Sequence, residues 1–203
     1  MRVRPRTKII MRICVYCASS QECDPHYHEV AFKLGAMLAE AGHTLVYGGG
    51  STGSMGAVAN GALSVGGEVI GIIPKFMADL EWGHPGVTRL ELVEDMRERK
   101  HRLLTDSDAV VALPGGCGTL EELFEAITLK RLGIYFNPII LLNTRGFYTP
   151  LQGFMESVIS ERFMNDAHLS MWSLVDEPEE VLPAIKATPR WREDAREFAV
   201  VRR

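Results

Sequence analysis

Two adjacent carboxylates follow a glycine-rich turn in the middle of the chain. Within residues 108–122, which read DAVVALPGGCGTLEE, an apolar run stops at Pro114, glycines follow, and Glu121 and Glu122 open a helical pattern. The unpaired backbone N–H groups at such a helix start, together with the positive end of the helix dipole, suit a phosphate group. The two acids beside this turn indicate chemistry in addition to binding.

A second glycine-rich loop, GGGSTGSMG over residues 48–56, follows the apolar run 44–47. It contains the dinucleotide fingerprint G-x-G-x-x-G, which is a weak signal alone. The matching glycines are Gly48, Gly50 and Gly53. The next apolar run ends at Pro74 without an acid for a dinucleotide ribose, and no Lys follows Gly53 as in a Walker A loop. A tight turn is the alternative, but so many glycines favour a loop that binds phosphate or sugar.

A basic residue interrupts an apolar helix face in residues 94–105. Met96 and Leu103 share this face, and Arg99 lies between them, followed by Lys100. A guanidinium in an apolar stripe requires a partner. A salt bridge to a neighbouring helix and a contact with a ligand phosphate or a catalytic carboxylate are equally compatible with the pattern.

Strands and helices alternate along nearly the whole chain, which predicts an α/β fold with a Rossmann-like parallel sheet and helices on both faces. The predicted strands are 9–16, 44–47, 68–73, 88–93, 108–113, 138–142 and 173–175. The predicted helices are 25–41, 57–65, 94–105, 119–132, one ending near 161, and 178–187. We expect a single domain over residues 9–188, with 1–8 and 189–203 as tails. The loops after Tyr16, Tyr47 and Leu113 should form one pocket, because ligands bind at the carboxyl ends of such strands.

Two further segments carry specific expectations. Residues 75–86 read as an irregular surface loop that folds over a pocket, with His84 as an ordinary surface histidine. Helix 119–132 has a core stripe, composed of Leu120, Leu123, Phe124 and Ile127. At about 100° per residue, Glu122, Ala126 and Leu129 fall on the far side, where a second subunit would cover the two apolar residues.

The composition excludes several classes of protein. The 203-residue chain has a net charge of -4 and no broad basic surface, which argues against nucleic acid as a partner. No apolar run approaches the roughly 20 residues that cross a bilayer, so we expect no membrane association and a cytoplasmic protein. Cys14 and Cys17 form a C-x-x-C within a predicted strand, where residues three apart point to opposite faces, and no second such pair or His cluster accompanies them, so the cysteines are expected to be reduced structural thiols. They are Cys14, Cys17, Cys23 and Cys117.

The motifs resemble those of the Lonely Guy family. The run from Pro114 to Glu122 fits the family element P-G-G-x-G-T-x-x-E, and Met96 with Arg99 and Lys100 fits its element M-x-x-R-K. Residues 14–20 and 48–56 are similar as well, so the resemblance spans roughly residues 10–182. It implies a Rossmann-like homodimer or higher homo-oligomer. Many members once carried the label lysine decarboxylase, but no sequence context for a pyridoxal-phosphate lysine is visible here.

The resemblance implies a phosphoribohydrolase that cleaves cytokinin riboside 5'-monophosphates, and often AMP, into free base and ribose 5-phosphate. Arg99 and Glu122 match the catalytic pair, and neither a metal nor a cofactor is required. The predicted substrate-binding residues are Ser19, Gly49, Gly50, Gly53, Met96, Lys100, Gly115, Gly116, Cys117, Gly118, Thr119, Glu121 and Thr128. Three positions depart from the common family pattern and leave the base preference open. They are Ala18, Arg97 and Cys117.

Each group has an expected role in breaking an N-glycosidic bond. Glu122 would stabilise the positive charge on the ribose carbon or activate water, while Glu121 binds ribose hydroxyls. Arg99 would orient Glu122 and stabilise charge on the leaving base. The phosphate would rest on the N–H groups of residues 115–119. The alternative is a nucleotide or molybdenum-cofactor carrier that uses the same pocket without hydrolysis. An NAD-dependent oxidoreductase is a weaker alternative, because the sequence lacks the acidic residue that would bind the ribose of NAD.

Overall fold

A computed structural model describes residues 9–80 and 82–201, so the predicted basic tail 1–8 lies outside the described residues. The strands are β1 Arg12–Tyr16, β2 Thr44–Tyr47, β3 Val69–Pro74, β4 Arg89–Val93, β5 Ala109–Ala112, β6 Ile139–Leu142 and β7 Ser173–Val175. The helices are α1 Pro25–Glu40, α2 Gly53–Ser64, α3 Lys75–Ala78, α4 Met96–Leu104, α5 Cys117–Arg131, α6 Thr149–Ser160 and α7 Pro178–Ala187. No helix in the described ranges is long and apolar enough to cross a membrane.

All seven strands form one parallel sheet in the order β4-β3-β2-β1-β5-β6-β7. From β1 the chain progresses outward to β4 on one side and then returns to place β5 on the other side of β1. The carboxyl ends of β1 and β5 therefore flank the point where strand order reverses, which is the usual ligand site in such sheets. The predicted fold class is confirmed.

Helices cover both faces of this sheet, which explains why the strands are apolar on both sides. In β1, Ile13 and Val15 belong to one core cluster and Cys14 and Tyr16 to the other. The first cluster packs under α1, α2 and α7, and the second under α4, α5 and α6. Successive residues of a strand point to opposite faces, so each parallel strand supplies both cores.

The predicted orientation of α5 is wrong. Glu122 and Ala126 lie on its buried face rather than on the far side, and Ala126 is fully buried in the core of its own chain. Leu129 also packs against this core and is half-buried. The buried stripe of α5 is wide because the sheet covers one side while residues Ala195–Glu197 pack against the helix as well. Ala126 therefore needs no second subunit to cover it.

The segment after α7 is packed, whereas the sequence predicted a tail from residue 189. Trp191 and Ala195 are buried in the core cluster under α5. The backbone N–H of Trp191 donates to Phe136 O at 2.8 Å, and Arg131 Nε donates to Ala199 O at 2.8 Å. The many charged residues after position 189 suggested a solvated tail. Its few apolar side chains nevertheless pack between α5 and the residues that precede β6.

Candidate functional site

The start of α5 presents unpaired backbone donors at the switch point of the sheet. Leu113 N–H still donates to Tyr16 O at 2.9 Å, and after Pro114 the chain leaves the sheet. Gly116 is the N-cap, and the first helical hydrogen bond runs from Leu120 N–H to Gly116 O at 3.0 Å. The N–H groups that precede Leu120 in the helix have no helical acceptor. They belong to Cys117, Gly118 and Thr119, of which the first two are exposed.

Glu122 lies one turn into α5 and is buried over the end of β1. Only 9% of the residue is exposed. Burial raises the pKa of the Cys14 and Cys17 thiols, and the negative charge of Glu122 raises it further. Burial raises the pKa of the Glu122 carboxyl to about 7, against the opposing effect of Arg99. Glu121 adds a smaller increase in the pKa through its own negative charge. A carboxyl with a pKa near neutrality can exchange protons at physiological pH.

Arg99 is fixed by the carboxyl ends of two strands. Its Nε donates to Ile72 O at 3.1 Å and its Nη2 donates to Gly48 O at 2.9 Å. Nη1 lies 3.8 Å from Met96 Sδ on the preceding turn of α4. Backbone carbonyls therefore hold the guanidinium, and Arg99 forms no salt bridge to a neighbouring helix among the described residues, while contact with a ligand phosphate stays a prediction.

Arg99 and Glu122 interact without forming an ion pair. In the described part of the chain, no nitrogen of Arg99 lies within 4.0 Å of a carboxylate oxygen of Glu122, since the salt bridges there join other residues. The positive charge of Arg99 nevertheless lowers the pKa of Glu122. The expected role of Arg99 in orienting Glu122 therefore stays a prediction, and what links the two side chains is the effect of the Arg99 charge on the pKa of the Glu122 carboxyl.

The loop after β1, which contains Ala18 and Ser19, and the glycine loop 48–56 pack against each other beside Arg99. Thr52 Oγ1 donates to Ser19 O at 3.0 Å, and Met55 N–H donates to Ala18 O at 3.0 Å. Gly53 has a positive φ of 60°, and a Cβ there would lie 2.5 Å from the carbonyl carbon of Ser19. Only glycine permits this approach at this backbone conformation.

A cleft of about 350 Å³ opens between these loops. Ser19 and Gly50 line it together with Arg99, as predicted for one pocket, but the loop after β5 is not part of its wall. Gly49 is buried behind the cleft, where its carbonyl accepts a hydrogen bond from His84 N–H at 2.9 Å. The cleft thus brings together the loops after β1 and β2 with α4.

Lys100 and Glu121 join α4 to α5. Lys100 Nζ forms ion pairs with Glu121 Oε1 and, at 3.4 Å, with Glu125 Oε2. Glu121 is exposed in the second turn of α5, after the glycine turn. Thr128 is exposed too, but it lies about 14 Å further along the helix axis than Thr119 at 1.5 Å per residue. The fold of one chain does not bring Thr128 to the glycine turn.

Sequence reasoning missed part of the cleft wall. Met77 and Trp82 line the cleft from residues 75–86, and Met55 and Ile73 line it from α2 and β3. His84 is not a surface histidine: it is buried, and its Nε2 lies 3.1 Å from Asn60 Oδ1. The only available signal was the coincidence of an aromatic residue and a histidine in a loop that follows a strand.

Comparison with known proteins agrees with these motifs. A family profile described as "Possible lysine decarboxylase" matches residues 55–185. The chain is 41% identical over 180 residues to probable cytokinin riboside 5'-monophosphate phosphoribohydrolase LOGL6 of Oryza sativa subsp. japonica, which covers 88% of this chain and 72% of the relative. The chain belongs to the Lonely Guy (LOG) family. Another family member, cytokinin riboside 5'-monophosphate phosphoribohydrolase LOG7 of Arabidopsis thaliana, is 44% identical over 154 residues, or 76% of this chain and 71% of that one.

The fold recurs outside these LOG relatives. The molybdenum cofactor carrier protein of Chlamydomonas reinhardtii superposes with a TM-score of 0.68 and 22% sequence identity, over 89% of this chain and 98% of the carrier. At this identity the similarity concerns the fold alone. The site residues of the LOG family member, rather than its fold, must therefore decide its chemistry.

Proposed function

We propose that the protein hydrolyses the N-glycosidic bond of cytokinin riboside 5'-monophosphates and of AMP, releasing the free base and ribose 5-phosphate. The observation that carries this proposal is the buried carboxyl of Glu122, with its pKa near neutrality, between a helix start with free N–H groups and the fixed cation Arg99. The names of the LOG relatives, which share the motifs around these residues, give independent support.

The phosphate of the substrate would bind to the N–H groups of Cys117, Gly118 and Thr119. The helix dipole adds positive potential there, and no side-chain cation is needed. With the phosphate at the start of α5, the ribose lies along the first turn of the helix, beside Glu121 and Glu122. Glu121 would accept hydrogen bonds from ribose hydroxyls while it stays paired with Lys100.

Glu122 and Arg99 would act on opposite sides of the breaking bond. The bond between the ribose carbon and the purine nitrogen breaks with its electron pair going to the purine, which takes up a proton from solvent, while the proton that Glu122 accepts from the attacking water is released to solvent in return. Glu122 in its carboxylate form stabilises the positive charge on the carbon and takes a proton from the attacking water. Arg99 stabilises the negative charge that develops on the purine, and its two backbone acceptors keep it in place.

The decisive experiment measures release of free base from AMP and from isopentenyladenosine monophosphate by chromatography. We expect the wild type to release base. Glu122→Ala should release base at least about a hundredfold more slowly, since acid–base groups contribute about 10²–10⁴-fold. Glu125→Ala is the matched control, because Glu125 lies one turn further along α5 and also approaches Lys100.

Two outcomes would contradict the proposal. If Glu122→Ala released base as fast as the wild type, the role of Glu122 would be wrong. If the wild type bound a nucleotide monophosphate in calorimetry but cleaved none, the carrier function would replace hydrolysis. Nucleosides without the phosphate serve as a further control, since they cannot use the donors at the start of α5.

We also propose that the protein acts as a homodimer. The support is a groove between α4 and α5 whose rim carries the exposed side chain of Ile134, close to the exposed Leu132. Light scattering should give about twice the mass of the chain, and Ile134→Asp should shift the protein toward the monomer. A monomer in the wild type at micromolar concentration would contradict this part of the proposal.

A further inference from the structure

Cys23 and His28 meet at the start of α1. Asp24 is the N-cap of this helix, so Cys23 is the residue before the cap and His28 is the fourth residue of the helix. Side chains at these two positions often pack against each other, and they are usually apolar. Here Cys23 Sγ lies 3.2 Å from His28 Nε2. The local geometry of the helix start therefore brings a thiol to an imidazole.

The carbonyl of Ser20 decides which atom of this pair carries the hydrogen. Ser20 O lies 3.1 Å from His28 Nε2, and a carbonyl oxygen can only accept a hydrogen bond. Cys23 Sγ lies farther from this oxygen, at 3.9 Å, so Nε2 is the protonated atom and donates to Ser20 O. A sulfur beside this N–H group is placed to accept, and charge makes a thiolate the stronger acceptor. His28 is thus arranged to stabilise the deprotonated form of Cys23.

Among the described cysteines, Cys23 combines access to solvent with a basic partner. Cys14 and Cys17 are buried, and burial raises the pKa of both thiols, which keeps them unreactive. Cys117 is exposed at the first residue of α5, and a histidine is not among its hydrogen-bond partners in the described part of the chain. Cys23 is half-buried and lies beside His28.

The neighbouring carboxylates have other partners than His28. Asp24 forms an ion pair with Arg145, and Glu29 lies 3.4 Å from the other histidine of this turn, His26. His28 also lines an open depression of about 670 Å³ between α1 and the glycine loop. Small molecules can therefore reach the thiol and the imidazole from solvent.

We propose that Cys23 and His28 form a thiol site that hydrogen peroxide oxidises to a sulfenic acid. The thiol proton passes to Nδ1 of His28, and the thiolate attacks one oxygen of the peroxide. The S–O bond forms as the O–O bond breaks, and the hydroxide that leaves takes the proton back from the imidazolium. The sulfur loses two electrons and the peroxide gains them. One thiol and one peroxide thus give one sulfenic acid and one water.

Oxidation of Cys23 acts on the wall of the cleft. The sulfenic acid oxygen lies next to Nε2 of the histidine and competes with Ser20 O for its hydrogen. Ser20 lies between Ser19 and Gln21, which both line the cleft together with Arg99. Loss of the bond to Ser20 O releases this segment, so oxidation should weaken substrate binding. This consequence alone rests on the proposed function.

Mass spectrometry after labelling with dimedone, which reacts with sulfenic acids, measures the oxidation of each cysteine by peroxide. At pH 7 an ordinary thiol is only a few per cent thiolate, so we expect His28→Gln to slow the labelling of Cys23 about tenfold. Glutamine keeps an N–H donor for Ser20 O but cannot take the thiol proton. His26→Gln is the matched control, because its ring lies on the same turn of α1 with another partner. Labelling of Cys117 should be the same in all three proteins.

The kinetics of base release test the effect on the cleft. We expect peroxide to raise KM for AMP about fivefold in the wild type, as for one lost hydrogen bond, and dithiothreitol to reverse the change. Cys23→Ser should resist peroxide.

Three outcomes are distinguishable. Equal labelling of Cys23 in the wild type and His28→Gln would overturn the thiol site. A rise in KM that persists in Cys23→Ser would assign the effect to Cys117 and overturn the release of the Ser20 segment. A wild type that cleaves no nucleotide would overturn the proposed function alone, because the labelling experiment needs no substrate.

Discussion

Arg99 donates from Nη2 to the carbonyl oxygen of Gly48 at 2.9 Å, and a Cβ on residue 48 would lie 2.2 Å from that same nitrogen. Glycine directly after β2 is therefore needed because the Arg99 guanidinium occupies the space of a side chain, and not because of the backbone conformation of the turn. The contact joins two motifs that are far apart in the sequence, the glycine loop and the α4 element of the LOG family. It also explains how a cation is held in an apolar stripe without a carboxylate partner.

Gly48→Ala should inactivate the protein by moving Arg99. The added methyl group and Nη2 cannot both keep their positions, so the guanidinium must leave Gly48 O. We expect base release to fall to within about tenfold of the Arg99→Ala variant, and the double variant to be no worse, because two changes that act through one group are not additive. Gly153→Ala on α6, where a Cβ meets nothing within 4 Å, is the control. Full activity of Gly48→Ala would show that the position of Arg99 does not matter.

The pH dependence of base release should report the titration of Glu122. Because the reaction needs the carboxylate and the pKa is about 7, kcat/KM should fall as the pH drops through 7. Arg99 lowers this pKa and Glu121 raises it, so Arg99→Gln should move the acid limb to higher pH and Glu121→Gln to lower pH. If the substrate phosphate titrated instead, neither variant would move the acid limb. That result would show that the pH dependence does not come from Glu122.

The sequence predicted those features that depend on local patterns. Strands β2 and β7 and helix α7 have the predicted bounds, and the glycine turns occur where expected. Local signals suffice there because strand ends, turn glycines and helix caps are decided within a few residues.

Features that depend on tertiary contacts were not predictable. The acceptors of Arg99 are the backbone carbonyls of Gly48, directly after β2, and of Ile72 in β3, and any residue type carries such a carbonyl. The buried face of α5 was misassigned because Glu122 counted as polar, although the fold buries it. Trp191 was assigned to a tail because its neighbours are charged, whereas contacts with residues distant in sequence bury it.

Tyr148 should stabilise the turn before the phosphate site through its hydroxyl. The hydroxyl donates to Leu113 O at 2.7 Å in the buried core, just before Pro114. Tyr148→Phe leaves that carbonyl without this donor and should lower the free energy of unfolding by about 1–3 kcal/mol while raising KM for AMP. Tyr135→Phe is the matched control, because its buried hydroxyl has no hydrogen-bond partner in the described structure, and urea unfolding should find it neutral or stabilising. Equal losses in both variants would contradict the role of the Leu113 bond.

Glu122→Gln should stabilise the protein at alkaline pH while it abolishes base release. The folded state raises the pKa of Glu122 from 4.5 to about 7. Between pH 4.5 and about 7, the carboxyl is therefore protonated in the folded protein and ionised in the unfolded chain. The wild type therefore loses stability as the pH rises through this window, by about 3 kcal/mol at about 1.4 kcal/mol per pKa unit. Glutamine resembles the protonated acid at every pH and escapes this loss.

The expected difference in the free energy of unfolding between Glu122→Gln and wild type is near zero at pH 4 and grows to about 3 kcal/mol by pH 8. Urea titrations at several pH values measure it, and Glu125→Gln controls for removal of a negative charge from the same helix. A pH-independent difference would mean that the fold does not destabilise the Glu122 carboxylate. A gain confined to higher pH, in a variant that no longer releases base, would mean that the fold keeps an unfavourable buried carboxylate at the site because the reaction uses it.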